Sequence, residues 1–214
     1  MIEMINNYSD WIRARKNGIG GSEAGCVLGK NKYKTNVDLW QEKTGRKEQP
    51  DLSNNSAVQF GKFAEPLLRE LFKQDYNDYS VDYHEFWIYR NSKHKWLFAT
   101  LDGEITTTDG QRGILEIKTT TIQNKLQWDD WDNKIPDSYY VQILHQLAAT
   151  GWDFAILKAY IRYYVDGEVR VTIRHYRINR EDVAADIEYL IQQESIFWRQ
   201  VQNNEQPPLK LPTI

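Results

Sequence analysis

Near residue 80 the apolar spacing of the chain changes from three or four residues to two. This switch constrains the fold more than any other feature. Before it, "AVQFGKFAEPLLRELFKQDY" places Val58, Phe63, Leu67, Leu71 and Phe72 at near-helical intervals, which predicts a long helix. Pro66 in its interior should weaken or bend that helix. After the switch, "VDYHEFWIY" puts Val81, Tyr83, Trp87 and Tyr89 on one face of a strand. "WLFATLDGEIT" does the same with Leu97, Ala99, Leu101 and Ile105. Asp109–Gly110 supplies a turn, and "GILEIKTTT" over Gly113–Thr121 is a third strand, so the order reads as an antiparallel meander.

Helices are expected on the N-terminal side, within residues 9–45. "GGSEAGCVLGK" reads as a helix with Ser22 as N-cap and Gly29 just past its end. "TNVDLWQEKTG" has Thr35 as N-cap and Gly45 as its stop, and the polar stretch Gly45–Ser56 is a surface loop. Downstream, "SYYVQILHQLAATG" is a helix running from near Ser138 to Gly151. "FAILKAYIRYY" and "EVRVTIRHYRI" pair around Asp166–Gly167 as a hairpin, and an amphipathic helix follows at about 180–202. Helices, three strands, a helix, two strands and a helix predict an α/β (α+β) fold, a mixed β-sheet flanked by helices. A chain of 214 residues is enough for one sizeable core. One domain is expected over 1–214, with its central part at about 57–178.

No apolar run approaches the roughly 20 residues that span a membrane. The polar start "MIEMINNYSDW" lacks the apolar segment of a secretion signal, and the lone Cys26 cannot form an internal disulfide. These features predict a cytoplasmic protein. The net charge of -3 shows no basic footprint of the kind nucleic-acid binders usually carry. It does not exclude DNA, because a carboxylate-rich metal site lowers the count and bound cations restore positive potential locally. The eight Trp and thirteen Tyr are read as packing residues rather than base-stacking platforms.

Within the third strand, Glu116 and Lys118 point the same way, because side chains alternate between faces. Charges in mid-strand are costly unless something uses them. Asp102 on the preceding strand is almost equidistant with Glu116 from the turn at 109–110, so two carboxylates and a lysine would share one patch. Close like charges raise each other's pKa, which disfavours such a patch without a cation. Mg²⁺ resolves the conflict, being held by one or two carboxylates plus waters and a substrate phosphate. Lys118 could then orient a nucleophilic water or offset charge in the transition state of phosphodiester hydrolysis. Spacing alone leans to the blander reading, a cross-strand ion pair on a solvated face.

Other features bear on the choice. Glu65 lies in the long helix beside Pro66, and a bend could aim it at the sheet. Tyr139, Gln142, His145 and Gln146 form a polar stripe that faces either water or a cleft. His145 reads as a hydrogen-bonded or surface histidine rather than a metal ligand, and no Cys/His cluster has zinc spacing. Arg13, Arg15 and Lys16 precede a glycine pair and a predicted helix N-terminus at Ser22, where a phosphate would fit as well as an ordinary cap.

Taken in order, "GIGGSEAGCVLG", "KTNVDLWQEKTG", "FGKFAEPLLRELF", "ATLDGE", "LEIKTT" and "YYVQILHQLAATGWDFAIL" resemble the YqaJ-like viral recombinases, also called the phage lambda-type exonuclease family, of the PD-(D/E)XK nuclease superfamily. The resemblance runs from about Arg13 to the C-terminal helix. It implies the superfamily's restriction-endonuclease-like core. It also implies Mg²⁺ or Mn²⁺ held by Asp102, Glu116 and Glu65, with Lys118 as catalytic lysine and Gln142 as the active-site glutamine. Arg15 and Ser22 fall near the positions that grip the 5′-phosphate of a DNA end. The proline of the superfamily's "PD" motif is Leu101 here, while the charged positions are intact. The implied activity is a 5′-to-3′ exonuclease on linear double-stranded DNA, of phage or prophage origin in a bacterial cell. A single-strand annealing protein is the implied partner and a ring-shaped homotrimer the implied assembly. An endonuclease or nickase with the same site, or a catalytically silent DNA-end-binding module, are the alternatives.

Overall fold

Two sheets, rather than one meander, carry out the switch in period. The computed structural model describes residues 1–211. In chain order its elements are β1 (Ile2–Glu3), α1 (Tyr8–Arg15), α2 (Gly21–Val27), α3 (Asn36–Lys43), α4 (Ser56–Asp75), β2 (Ser80–Asp82), β3 (Ile88–Arg90), β4 (Phe98–Ala99), β5 (Gly103–Thr106), β6 (Arg112–Thr121), α5 (Lys125–Asp129), α6 (Asp137–Thr150), β7 (Phe154–Val165), β8 (Glu168–Asn179) and α7 (Ala184–Gln202). The larger sheet has the order β2-β5-β6-β7-β8 and the smaller one β1-β3-β4. All pairings are antiparallel except β6 with β7, which are parallel and joined through α6. The mixed sheet flanked by helices is therefore as expected.

The single strands expected over 81–89 and 96–106 each break in two. One half joins each sheet. The first break contains Phe86 at φ 63, a left-handed conformation that no strand accommodates. The second is the segment Thr100–Asp102, where the chain leaves the small sheet at Ala99 and enters the large one at Gly103. Beyond it, Gly103 pairs with Leu115 and Thr106 with Arg112, so the β5–β6 hairpin is centred on residue 109, as its turn chemistry predicted. Asp102 is thereby delivered to the sheet edge next to Glu116. At the other hairpin, Asp166 and Gly167 have φ 51 and 80, which suits a tight two-residue connection.

The large sheet is covered on both faces. Ile114 packs in one core with Ile143, Leu144 and Leu147 of α6. Leu115 and Ile117, pointing the other way, pack with Ala64, Leu68 and Phe72 of α4. The apolar residues picked out in α4 by spacing do not all face that core: Phe63, Leu67 and Leu71 are 70%, 55% and 49% exposed. The buried stripe lies one residue further round the helix, at Ala64, Leu68 and Phe72. Each stripe has four-residue spacing, so periodicity alone does not separate them. Among the described residues no helix is long and apolar enough to cross a membrane.

Candidate active site

Asp102, Glu116, Lys118, Glu65, Gln142, Arg15 and Ser22 all line one cavity of about 280 Å³. They come from the β4–β5 break, β6, α4, α6, α1 and α2, and no two neighbouring elements supply the set.

Strand β6 sets the frame. Its residues Gly113–Ile117 are buried, so Glu116 is only 2% exposed. Lys118 Nζ stands 2.6 Å from Glu116 Oε1 and 5.1 Å above the ring of Tyr139. Burial acts to lower the Lys118 pKa, but Glu116 and Asp102 outweigh it and hold the ammonium above the ordinary lysine range. Asp102 Oδ2 accepts the backbone N–H of Ile117 at 2.8 Å. Burial, then the Glu116 and Glu65 charges, push the Asp102 carboxyl well above its usual range, against the pull of Lys118 and that N–H.

Glu65 reaches the cavity from α4. Arg69, one turn on, donates to Glu65 Oε1 at 2.6 Å and through Nε to the Asp102 carbonyl oxygen at 2.5 Å. Its guanidinium also lies 3.7 Å over the Tyr83 ring. Burial raises the Glu65 carboxyl; Arg69 opposes and Glu116 adds to it, leaving it above the ordinary value. Arg69 was not singled out in the sequence, although its i+4 spacing from Glu65 was the available signal.

The polar stripe of α6 divides. Gln142 Nε2 donates to Glu116 Oε1 and Gln146 Nε2 to Glu116 Oε2, both at 2.6 Å. Gln146 is a site residue that the sequence placed only within the stripe. His145 turns away into the core, fully buried, with Nδ1 2.7 Å from Glu194 Oε1 and Nε2 2.8 Å from the Phe98 carbonyl oxygen.

Arg15 also lines the cavity. Its guanidinium sits 4.4 Å over the Trp11 ring and donates to Thr100 Oγ1 at 3.2 Å. Lys43 Nζ donates to the Arg15 carbonyl oxygen and pairs with the buried Glu23 at 2.8 Å. Ser22 is exposed on the cavity wall but is not the helix cap: Gly20 holds that position, and Glu23 Oε2 accepts its N–H at 2.9 Å. A glutamate three residues on can cap the turn from within, which displaces the predicted boundary.

Among the described residues, no three Asp, Glu, His or Cys side chains converge as a ready metal cage. Asp102, Glu116 and Glu65, the three carboxylates expected to hold a cation, line the same cavity, and Glu65 is paired with Arg69. A hard cation needs only one or two carboxylates plus water. Asp102 and Glu116 could supply them, and a cation there would offset the repulsion between the two carboxylates.

A model of the YqaJ-like viral recombinase domain matches residues 10–153. The uncharacterized protein YqaJ of Bacillus subtilis (strain 168) is 32% identical over 189 residues, covering 88% of this chain and 54% of YqaJ, so the chain spans about half the length of that relative. The crystal structure of an alkaline exonuclease from Laribacter hongkongensis superposes with a TM-score of 0.68 at 20% identity, covering 92% of this chain and 94% of that one. A phage-related exonuclease from Haemophilus somnus 129PT gives 0.54 at 12% identity, covering 87% and 96%. These two likenesses show the fold.

Proposed function

The chain belongs to the YqaJ-like viral recombinase family, and from that premise we propose that it is a metal-dependent deoxyribonuclease acting on linear double-stranded DNA. Its support is the convergence of Asp102, Glu116 and Lys118 in one cavity that Arg15 also lines. The exonuclease names of the two structural neighbours are consistent with it.

In this reading Asp102 and Glu116, with Glu65, would hold Mg²⁺ or Mn²⁺. A cation bound there would supply Lewis-acid polarisation of a phosphoryl oxygen and acidify a water. Lys118 stays protonated beside Glu116 and is placed to orient that water or to stabilise charge developing on the phosphate. Gln142 fixes Glu116, and Glu65 completes the acidic wall while Arg69 anchors it. Arg15, stacked on Trp11, offers its guanidinium to the 5′-phosphate with Ser22 beside it, which favours 5′-to-3′ digestion from an end. The exposed 3′ strand would pass to a single-strand annealing partner, and a ring of three copies around the duplex would keep the enzyme on its substrate.

Digestion of linear and covalently closed circular duplex in Mg²⁺ tests the assignment. Linear DNA is degraded and closed circles persist. Equal cutting of both would make the enzyme an endonuclease or nickase, and cutting of neither would leave a DNA-end-binding module.

A further inference from the structure

Both carboxylate oxygens of Glu116 are held by amides from α6, Gln142 on Oε1 and Gln146 on Oε2. The two glutamines are four residues apart, so they reach the same side of β6. Gly21 of α2 lies against both stems: a Cβ there would stand 3.2 Å from Gln142 Cγ and 3.4 Å from Gln146 Cγ. The amides therefore have little freedom to swing away.

The two differ in what else they touch. Gln142 is partly exposed at the cavity wall, whereas Gln146 is 1% exposed. A carboxylate only accepts, so Gln146 must present its NH₂ group to Glu116. Its Oε1 is then left buried with no partner among the described residues. An orphaned carbonyl of this kind costs on the order of 1–3 kcal/mol. A leucine of similar size would avoid that cost. What the amide supplies in return is the N–H on Glu116. An arginine would bond more strongly but would add a second cation beside a carboxylate that Lys118 already faces. The amide of Gln146 orients Oε2 without adding charge.

We infer that Gln146 is a positioning residue that, with Gln142, holds Glu116 in the orientation in which it takes a divalent cation. The inference rests on the metal-dependent reading above. Gln146 acts through Glu116 alone, so its loss shows in metal affinity before it shows in DNA binding.

The test compares the wild-type full chain with Gln146→Leu, by calorimetric titration of Mn²⁺ into metal-free protein without DNA. Thermal melting and steady-state cleavage are measured alongside. Mn²⁺ affinity should fall about 10- to 100-fold. The metal-free variant should remain folded with a single cooperative melt, and the cleavage defect should recede at high Mn²⁺ with KM for DNA unchanged. Gln146→Asn keeps an amide but withdraws it by one methylene; it should lose affinity too, and it serves if the leucine substitution prevents folding. Wild-type Mn²⁺ affinity in either folded variant overturns the positioning role and leaves the nuclease reading standing. Failure of the wild type itself to bind Mn²⁺ overturns both.

Discussion

The backbone N–H of Ile117 donates to Asp102 Oδ2 at 2.8 Å, tying the break between the two sheets to the strand that carries Glu116 and Lys118. Asp102 belongs to neither sheet, so this bond fixes where its carboxylate stands relative to β6.

Asp102→Asn keeps an acceptor for that N–H and removes the charge. Mg²⁺-dependent cleavage should fall by at least about 10²-fold, the scale of losing one charge-stabilising group at a reacting centre. The metal-free protein should melt no lower than wild type, because pressure from Glu116 and Glu65 is relieved. Circular dichroism melts and a cleavage assay on the same preparation check both halves.

Arg69 bridges Glu65 and the Asp102 carbonyl while only 8% exposed. Arg69→Met preserves much of the side-chain volume and leaves both acceptors unpaired. The expected cost is about 2 kcal/mol, or about 4–8 °C in melting temperature for a chain of this size. Urea titration should show a lower midpoint with an unchanged slope.

His145 carries a pH signature. Nδ1 faces Glu194 Oε1 and Nε2 faces the Phe98 carbonyl oxygen, an arrangement in which a doubly protonated imidazole donates to both. Burial acts to lower its pKa, but Glu194 and the Phe98 carbonyl outweigh burial and raise it. A raised folded-state pKa gives stability that is complete below the unfolded value of about 6.5 and is lost as pH rises through the folded value. The melting-temperature gap between wild type and His145→Gln should be largest at about pH 6 and should narrow on the alkaline side. A gap constant across the range would contradict the doubly protonated ring.

Arg15→Ala removes the guanidinium from the cavity wall. Wild type should prefer 5′-phosphorylated ends over 5′-hydroxyl ends by about 10- to 100-fold in kcat/KM, the worth of hydrogen bonds to a charged group. The variant should degrade the two ends at similar rates. Competition between differently labelled duplexes reads the ratio directly.

Much of this site was legible because its geometry is local. Asp102 and Glu116 flank one hairpin at equal distance from its turn, and strand alternation puts Lys118 beside Glu116. Thr35, with Asp38 three residues on, capped α3 as its residues announced. What escaped depends on contacts between distant segments. Nothing in "VDYHEFWIY" says that Phe86 will break the strand and send its halves to different sheets. His145 and Gln146 look alike as polar residues on a helix, yet one meets Glu194 of α7 and the other Glu116 of β6. The exposed stripe of α4 has the spacing of a buried one, so only the packed sheet distinguishes them.

In the proposed nuclease, Asp102, Glu116 and Lys118 hydrolyse phosphodiester bonds with a divalent cation. The most direct measurement is digestion of end-labelled linear duplex by wild type and Lys118→Ala, with Mg²⁺ and with EDTA. Wild type should remove the 5′-phosphorylated strand stepwise in Mg²⁺ and leave it intact in EDTA, and Lys118→Ala should be slower by about 10²- to 10³-fold while staying folded. Cleavage by Lys118→Ala at the wild-type rate would place the chemistry elsewhere in the molecule.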